Sequence, residues 1–301
     1  MSIEVSGLYT YPIKSCAGIE LQEAEFTELG IAYDREWMIV DHNDQMVTQR
    51  KTNLPPLALI KTEMTDDSLI VRAENIGELI ISKYADTYRT NPLVTVSVFT
   101  KSGVGRGQGK DAEAFFSEYL GKPAQLLRIQ QARTINSNYH ADGVSQRTGF
   151  ADGFQALWTS VESLVELNKV LAAEIPMDRF RPNIVTKGLA AYMEDYARKI
   201  KIGELVARVS RPCARCPIPN IDQSTGYALP SQKRAVTTAL RQTRHGYDDT
   251  TQDRPKGEFF GQNLSHVYVP GQKVRLGDTV ELLEGSLQPN VKILTHPDYQ
   301  K

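Results

Sequence analysis

The sequence predicts a mainly β protein with peripheral helices, an α+β chain, and three observations carry that expectation. Short stretches of period-two alternation recur along it, at residues 3–13, 68–72, 78–82, 93–99 and 199–209, with turn residues between them; several short strands in succession suggest a barrel or a sandwich. Helical spacing is confined to a few stretches. The 301 residues, 41% of them hydrophobic, suit two domains of ordinary size or one large one, with enough apolar content for real cores.

In chain order, residues 3–13 alternate as a strand and run into Lys14-Ser15-Cys16-Ala17-Gly18. A Lys-Ser pair at a strand end beside a glycine turn can hold a phosphate; a solvated turn over a buried cysteine explains it equally well. Residues 33–41 read as a strand, 42–45 as a turn and 46–50 as the returning strand, with Trp37 and Ile39 marking one buried face. Arg35 stands just ahead of that face, where an arginine is most often a surface charge. The glycine-rich segment 103–110 satisfies neither G-x-G-x-x-G nor G-x-x-x-x-G-K-[ST], so it reads as a flexible connector. Ala112, Phe115, Phe116, Tyr119 and Leu120 recur at helical spacing and Gly121 with Pro123 end the run, giving an amphipathic helix with core aromatics. Residues 124–129 form one more strand, and polar 130–149 reads as a long surface loop or domain connection. The division falls near 120–125: residues 1–122 form the first domain, 123–285 the second, and 286–301 a tail without periodicity.

In the second half, Thr159-Ser-Val-Glu162 has the form of a capping box, continued as a helix by Val161, Leu164, Leu167 and Leu171. Asp178-Arg-Phe-Arg-Pro-Asn-Ile-Val185 sets two arginines and an asparagine ahead of a short apolar strand, which makes Arg181 and Asn183 candidate anchors for a polar ligand; surface charge before a strand is the competing account. Residues 199–209 form a hairpin about Gly203-Glu204 and lead into the stretch from Ser210 to Gly226, which holds Cys213 and Cys216. Pro212, Pro217 and Pro219 forbid a regular helix or a central strand there. Arg211 and Arg215 alternate with the sulfurs, and a nearby positive charge favours thiolate, the form that attacks electrophiles and binds metals. Beyond it, 235–244 reads as a short helix and 245–256 as polar and mobile. Strands follow at 259–264 and around 266–269, then the turn Pro270-Gly271 and a strand pair flanking Gly277-Asp278. His140, His245 and His296 lie in polar surroundings and need no functional explanation.

A net charge of −1 and a pI near 6.5 give no global electrostatic reason for a nucleic-acid polymer or an anionic membrane as partner. No apolar run approaches the roughly 18 residues of a membrane span, and the start lacks the pattern of a signal peptide, so a cytoplasmic location is expected. Three cysteines do not make a disulfide framework. C-x-x-C supplies two of the four ligands of structural zinc, with no second pair at the expected spacing. A thioredoxin-type dithiol opens a helix, whereas Pro-Ile-Pro-Asn follows Cys216. Two buried structural thiols are the bland alternative that composition favours.

Lys14-Ser15 after Tyr11-Pro12, Asp34-Arg35, Phe150-Ala-Asp-Gly153, Phe180-Arg-Pro-Asn183, Cys213-Ala-Arg-Cys216, Asp222 with Gly226, and Phe260-Gly-Gln-Asn263 occur in an order that resembles the MOSC-domain proteins with an N-terminal β-barrel domain, similar to the amidoxime-reducing components and their bacterial relatives. The resemblance spans residues 1–284. It implies an N-terminal β-barrel-like domain followed by a MOSC β-barrel domain, and a molybdenum cofactor, Mo-molybdopterin, with Cys216 as protein ligand to the metal and catalytic residue and Cys213 as a structural neighbour. Lys14, Ser15, Arg35, Gly153, Phe154, Arg181, Pro182, Asn183 and Arg215 would join Cys216 in binding the cofactor, cationic and amide donors holding its phosphate and pterin edges. Pyridoxal phosphate is not expected.

The activity implied is reduction of small N-hydroxylated substrates; a carrier of the cofactor or of sulfur, without reductase activity, is the alternative. Asp222 is the acidic candidate near the ligand, with an Asx-type turn before Gly226 as the competing account. Close relatives carry Thr-Thr three and four residues after the ligand, where this chain has Pro219-Asn220. Some bacterial relatives carry a C-terminal ferredoxin domain; no cysteine follows Cys216 here, so electrons are expected from a separate ferredoxin-, flavoprotein- or cytochrome-type donor.

Overall fold

The computed structural model describes residues 2–51, 53–99, 101–228 and 233–294; His296 and the end of the tail lie outside them. Strands dominate, with three α-helices among the described residues: α1 (Lys110–Leu120), α2 (Val161–Asn168) and α3 (Ala235–Arg244). The largest sheet is a curled half-barrel of ten strands. Its centre runs from Glu4–Thr10 through Ile184–Lys187, Ala156–Ser160, Lys256–His266 and Leu205–Ala214 to Ala197–Ile202. The N-terminal strand is therefore stitched into a sheet whose other central strands come from the second half, with Leu8 opposite Ile184. Leu8, Trp158, Ile184, Val209 and Leu264 fill the inside of this sheet.

A four-stranded sheet, Trp37–Asp41, Ala124–Gln131, Lys101–Gly107 and Leu93–Val98, builds the other body of the molecule. Trp37–Asp41 was expected to bury one face and instead buries both: Trp37 and Ile39 pack with Phe115 and Phe116 of α1, while Met38 and Val40 pack with Val96 and Phe150. The glycine-rich segment is not a connector but the strand Lys101–Gly107. Gly105 is needed for closeness, since a Cβ there would stand 2.8 Å from Leu127 and 3.2 Å from Phe150.

Several further expectations are corrected by local hydrogen bonding. The strand predicted from residue 33 begins at Trp37; Tyr33 and Arg35 have φ of 65° and 49°, and the Glu36 carboxylate accepts from the Tyr33 N–H, so residues 33–36 form a turn. The returning strand at 46–50 is reduced to one bridge, Met46 to Val40, because the Thr48 hydroxyl accepts from the Arg50 N–H and turns the chain. The loop 130–149 lies at the surface, with 136–138 and 142–145 exposed, but it is anchored: Arg133, Tyr139 and Gln146 are buried, and the Arg133 guanidinium is spent on the carbonyls of Gly149 and Ala151. α2 is capped one residue later than predicted, by Ser160, while Glu162 accepts from the Gly188 N–H instead of reaching back. Leu171 lies past its end.

Pro212 stands inside Leu205–Ala214, at a bulge where a missing N–H does no harm. The segment 245–256 contains the strand His245–Asp248, which pairs on both sides, and the supposed two strands from 259 to 269 are the single strand Lys256–His266. The tail carries a short strand of its own, Val291–Ile293. The hairpin about Gly203, α1 with its left-handed Gly121 cap, and α3 form as predicted. No helix among the described residues is long and apolar enough to cross a membrane.

Candidate functional site

Successive residues of a strand face opposite ways, and Leu157 and Asn263 point away from the face that carries Trp158 and Leu264. Against that outer face lies a cavity of about 160 Å³. Nine of the ten residues singled out from the sequence line it: Lys14, Ser15, Arg35, Gly153, Phe154, Arg181, Asn183, Arg215 and Cys216. Pro182 lies behind its wall, its carbonyl accepting from the Tyr11 hydroxyl at 3.1 Å.

One wall is cationic. Lys14 follows the strand Glu4–Thr10 and is buried; burial depresses its pKa, and the attraction and hydrogen bond of Asp152 pull the other way. Asp152, itself exposed at the rim of the cavity, is correspondingly held down to about 2 by the charge and hydrogen bond of Lys14 together with the charges of Arg50 and Arg35. Ser15 has a φ of 72°, a left-handed conformation that a non-glycine residue adopts only when its surroundings impose it, and the Gln49 amide donates to its carbonyl at 2.7 Å. Arg35 sits in the turn before Trp37 and donates to Asp34 (2.6 Å), to the Asn183 side chain (3.0 Å) and to the Arg181 carbonyl (3.1 Å). Arg181, also left-handed at φ 52°, is buried, and that burial lowers its pKa to about 10. Its nearest side-chain acceptor is Gln223 at 3.4 Å, and its Nη2 has no partner among the described residues. Asn183 is consumed by the fold: its oxygen accepts from Leu157 N–H and Arg35, and its nitrogen donates to the Tyr9 carbonyl.

The other wall is the cysteine loop. Leu205–Ala214 carries Cys213 at its end, and Cys216 follows three residues on; both are half-buried and line the cavity, with free thiols. Arg215 donates through Nη1 to the Cys213 sulfur at 3.0 Å and through Nη2 to the Phe180 carbonyl at 2.8 Å, leaving its buried Nε without a partner. The guanidinium thus bears on Cys213, not on the expected ligand. Arg211 turns away to Asp248, 2.5 Å off. Cys16 is fully buried, its thiol pushed up to about 12 by burial against the opposing pull of Arg181.

The Pro219-Asn220 departure has a structural use. The Asn220 side-chain oxygen accepts from the N–H groups of Val236 and Thr237, so this residue caps the first turn of α3 from a distance and pins the cysteine loop to that helix. Asp222 forms the Asx turn: one oxygen accepts from Ser224 N–H and hydroxyl and the other from Arg179, with the carboxyl held below its ordinary pKa by the Ser224 bonds first. It is an anchored carboxylate. Sequence reasoning missed Arg50, Phe99 and Asp152, all at the cavity; Asp152 lies within the Phe150–Gly153 motif, while Arg50 and Phe99 carry no local signal.

Two buried guanidinium nitrogens with no acceptor among the described residues, beside a lysine and two thiols, suit a ligand that is anionic, rich in acceptors and thiophilic.

Two family models match the chain. Residues 2–123 match the family described as MOSC N-terminal beta barrel domain, and residues 145–281 match the MOSC domain. The chain is 30% identical to mitochondrial amidoxime-reducing component 1 of Mus musculus, over 93% of this chain and 82% of that protein. It is 31% identical to mitochondrial amidoxime reducing component 2 of Bos taurus, over 74% of this chain and 67% of that one. A molybdenum cofactor sulfurase of Oryza sativa subsp. japonica is 27% identical over 81% of this chain, which spans 31% of that longer protein.

Proposed function

This chain belongs to the family of MOSC-domain proteins that carry the MOSC N-terminal β-barrel domain, and from that premise we propose that it is a molybdenum-cofactor-dependent oxidoreductase that reduces N-hydroxylated compounds: hydroxylamines, amidoximes and N-hydroxylated bases. The observation that carries the reading is the pair of unpartnered buried donors, Arg181 Nη2 and Arg215 Nε, in one cavity with Lys14 and Cys216. A phosphate-bearing dithiolene cofactor matches that donor set, phosphate and pterin acceptors toward the cations and a thiophilic metal toward sulfur. Lys14, Ser15, Arg35, Arg181 and Arg215 would hold it, Gly153 and Phe154 would border it, and Cys216 would supply the protein thiolate. When bound, the cofactor supplies two-electron redox chemistry. The reaction consumes two electrons and two protons per N–O bond, giving the N–H compound and water.

The chain's own residues set the conditions. Arg35, Asn183 and Asp34 form a hydrogen-bonded unit that fixes one cation, and Asn220 with Pro217 and Pro219 holds the cysteine loop in place. Asp152, kept ionised by Lys14, is no reservoir for a proton at neutral pH. Electrons would come from a separate donor protein, and a cytoplasmic location is part of the proposal. The rival reading, a carrier of cofactor or sulfur, has the rice sulfurase relative in its favour.

The two readings separate by turnover. Molybdenum-loaded protein is expected to oxidise an electron donor when benzamidoxime or a hydroxylaminopurine is present and not otherwise; background turnover across several donors would sink the reductase reading. Cys216→Ser is expected to abolish turnover and change the metal's spectroscopic signature, while Cys213→Ser retains metal. Equal loss in both variants overturns the ligand assignment.

A further inference from the structure

Tyr11 has no part in the chemistry above, yet both principal arginines of the cavity are built on it. Its ring is buried, with the Arg35 guanidinium 4.3 Å and the Arg181 guanidinium 4.2 Å from its centroid. Both guanidiniums therefore pack against this one ring. Its other groups bind the same two segments. The Tyr11 N–H donates to Asp34 (2.9 Å), the carboxylate that holds Arg35; its carbonyl accepts from the Arg35 N–H (2.9 Å); its hydroxyl donates to the carbonyl of Pro182, next to Arg181. The ring is also set against Gly18, where a Cβ would come within 2.5 Å of it.

The two arginines differ in what neutralises them. Arg35 has Asp34 at 2.6 Å, whereas Arg181 has no ion-pair partner among the described residues. A buried guanidinium without a counter-ion is costly, and the negative face of an aromatic ring is the compensation present here. Two like charges so near each other would spread apart if nothing rigid held both.

We infer that Tyr11 is the positioning residue of this site: its ring holds Arg35 and Arg181 at a fixed separation and stands in for the counter-ion of Arg181, presetting a two-guanidinium clamp for an acidic ligand group. The inference rests on the reading of the cavity as an anion site. The ring carries the effect, and the hydroxyl only anchors the 181–183 segment.

The test uses the full chain and inorganic pyrophosphate as probe, with affinity measured by calorimetry and folding followed by near-ultraviolet circular dichroism. Tyr11→Leu is expected to weaken pyrophosphate binding about tenfold, and Tyr11→Phe by much less. Gly18→Ala, which keeps the tyrosine but displaces its ring, is expected to fall between them and serves if the leucine variant does not fold. Pterin content after production in a cofactor-competent host should follow the same order. A residue that merely supports the fold would lower the melting temperature and leave the affinity of the folded fraction unchanged. That result overturns the inference, as does equal loss in Tyr11→Phe and Tyr11→Leu, or no pyrophosphate binding by the unsubstituted chain. Pyrophosphate binding that depends on the ring, in a protein that reduces no N-hydroxylated compound, would leave the clamp standing and remove the reductase reading instead.

Discussion

Two buried charged clusters lie in the second-half sheet and its surroundings, and they are built on opposite terms. Behind the cavity, Asp195 is 3% exposed and has both oxygens engaged, one by the Arg244 guanidinium and the other by the Gln262 amide at 2.6 Å. Beside it Glu194 accepts from the hydroxyls of Ser163 at 2.6 Å and Ser160 at 3.2 Å. At the cavity, Arg181 is also buried, but faces a ring and an amide in place of a carboxylate and keeps a donor unused. The first cluster closes on itself and serves the fold. The second is incomplete without a ligand, and an incomplete buried polar group is tolerated where something else completes it. Burial alone therefore does not tell a structural charge from a binding one; the accounting of its partners does.

The largest expected effect tests that contrast directly. Arg244→Met leaves Asp195 buried without its counter-ion and is expected to cost about 3–5 kcal/mol in urea unfolding. Arg181→Met removes a cation that has no ion-pair partner and is expected to change stability by no more than about 1 kcal/mol while abolishing pyrophosphate binding. Equal destabilisation by the two would end the distinction drawn here.

A second effect concerns the closed cluster alone. Burial, reinforced by Asp195, raises the Glu194 carboxyl to about 7 in the folded protein, against an ordinary value of 4.5. The folded state then holds a proton that the unfolded state has released. The contribution of this group is full below about pH 4.5, declines as pH rises toward 7 and is gone above that, on the order of 3 kcal/mol across the window. Glu194→Gln should remove this part of the pH dependence of the unfolding free energy; an unchanged profile would place the titration elsewhere.

The smallest effect sharpens the account of the cysteine wall. Asn220→Ala deletes the remote cap of α3 and is expected to cost about 1 kcal/mol. Because the same side chain pins the loop after Cys216, it should also loosen metal retention, measured as molybdenum content after dialysis. Loss of stability with undiminished retention would mean that the loop does not need the cap.

How much of this was legible without coordinates differs from residue to residue. Hairpins and helices with strong local periodicity, such as those about Gly203 and in α1 and α3, were readable because their signal lies within a dozen residues. The strand Lys101–Gly107 was not, since glycine leaves no side-chain pattern and its packing partners, Leu127 and Phe150, are distant in sequence. Asp222 could be weighed as an acid or a turn residue; the Ser224 and Arg179 hydrogen bonds decided for the turn.

The site divides in the same way. Taken singly, Arg35 and Arg181 looked most like surface charges and Lys14 was as readily a turn residue as a phosphate holder, and only the order of the motifs joined them; the fold then set all three against one cavity, Lys14 and Arg181 buried and Arg35 half-buried. The sequence by itself determined the β-rich class, the family, and the residue types available to a thiophilic, anionic ligand. Tertiary structure alone decided that Arg35 and Arg181, 146 residues apart, pack on a single tyrosine, that Arg215 serves Cys213, and that Asn220 caps a helix. The physical reason is that periodicity records which face of a strand is buried but not which strand lies beside it, and a charge becomes functional through partners that only strand pairing brings near.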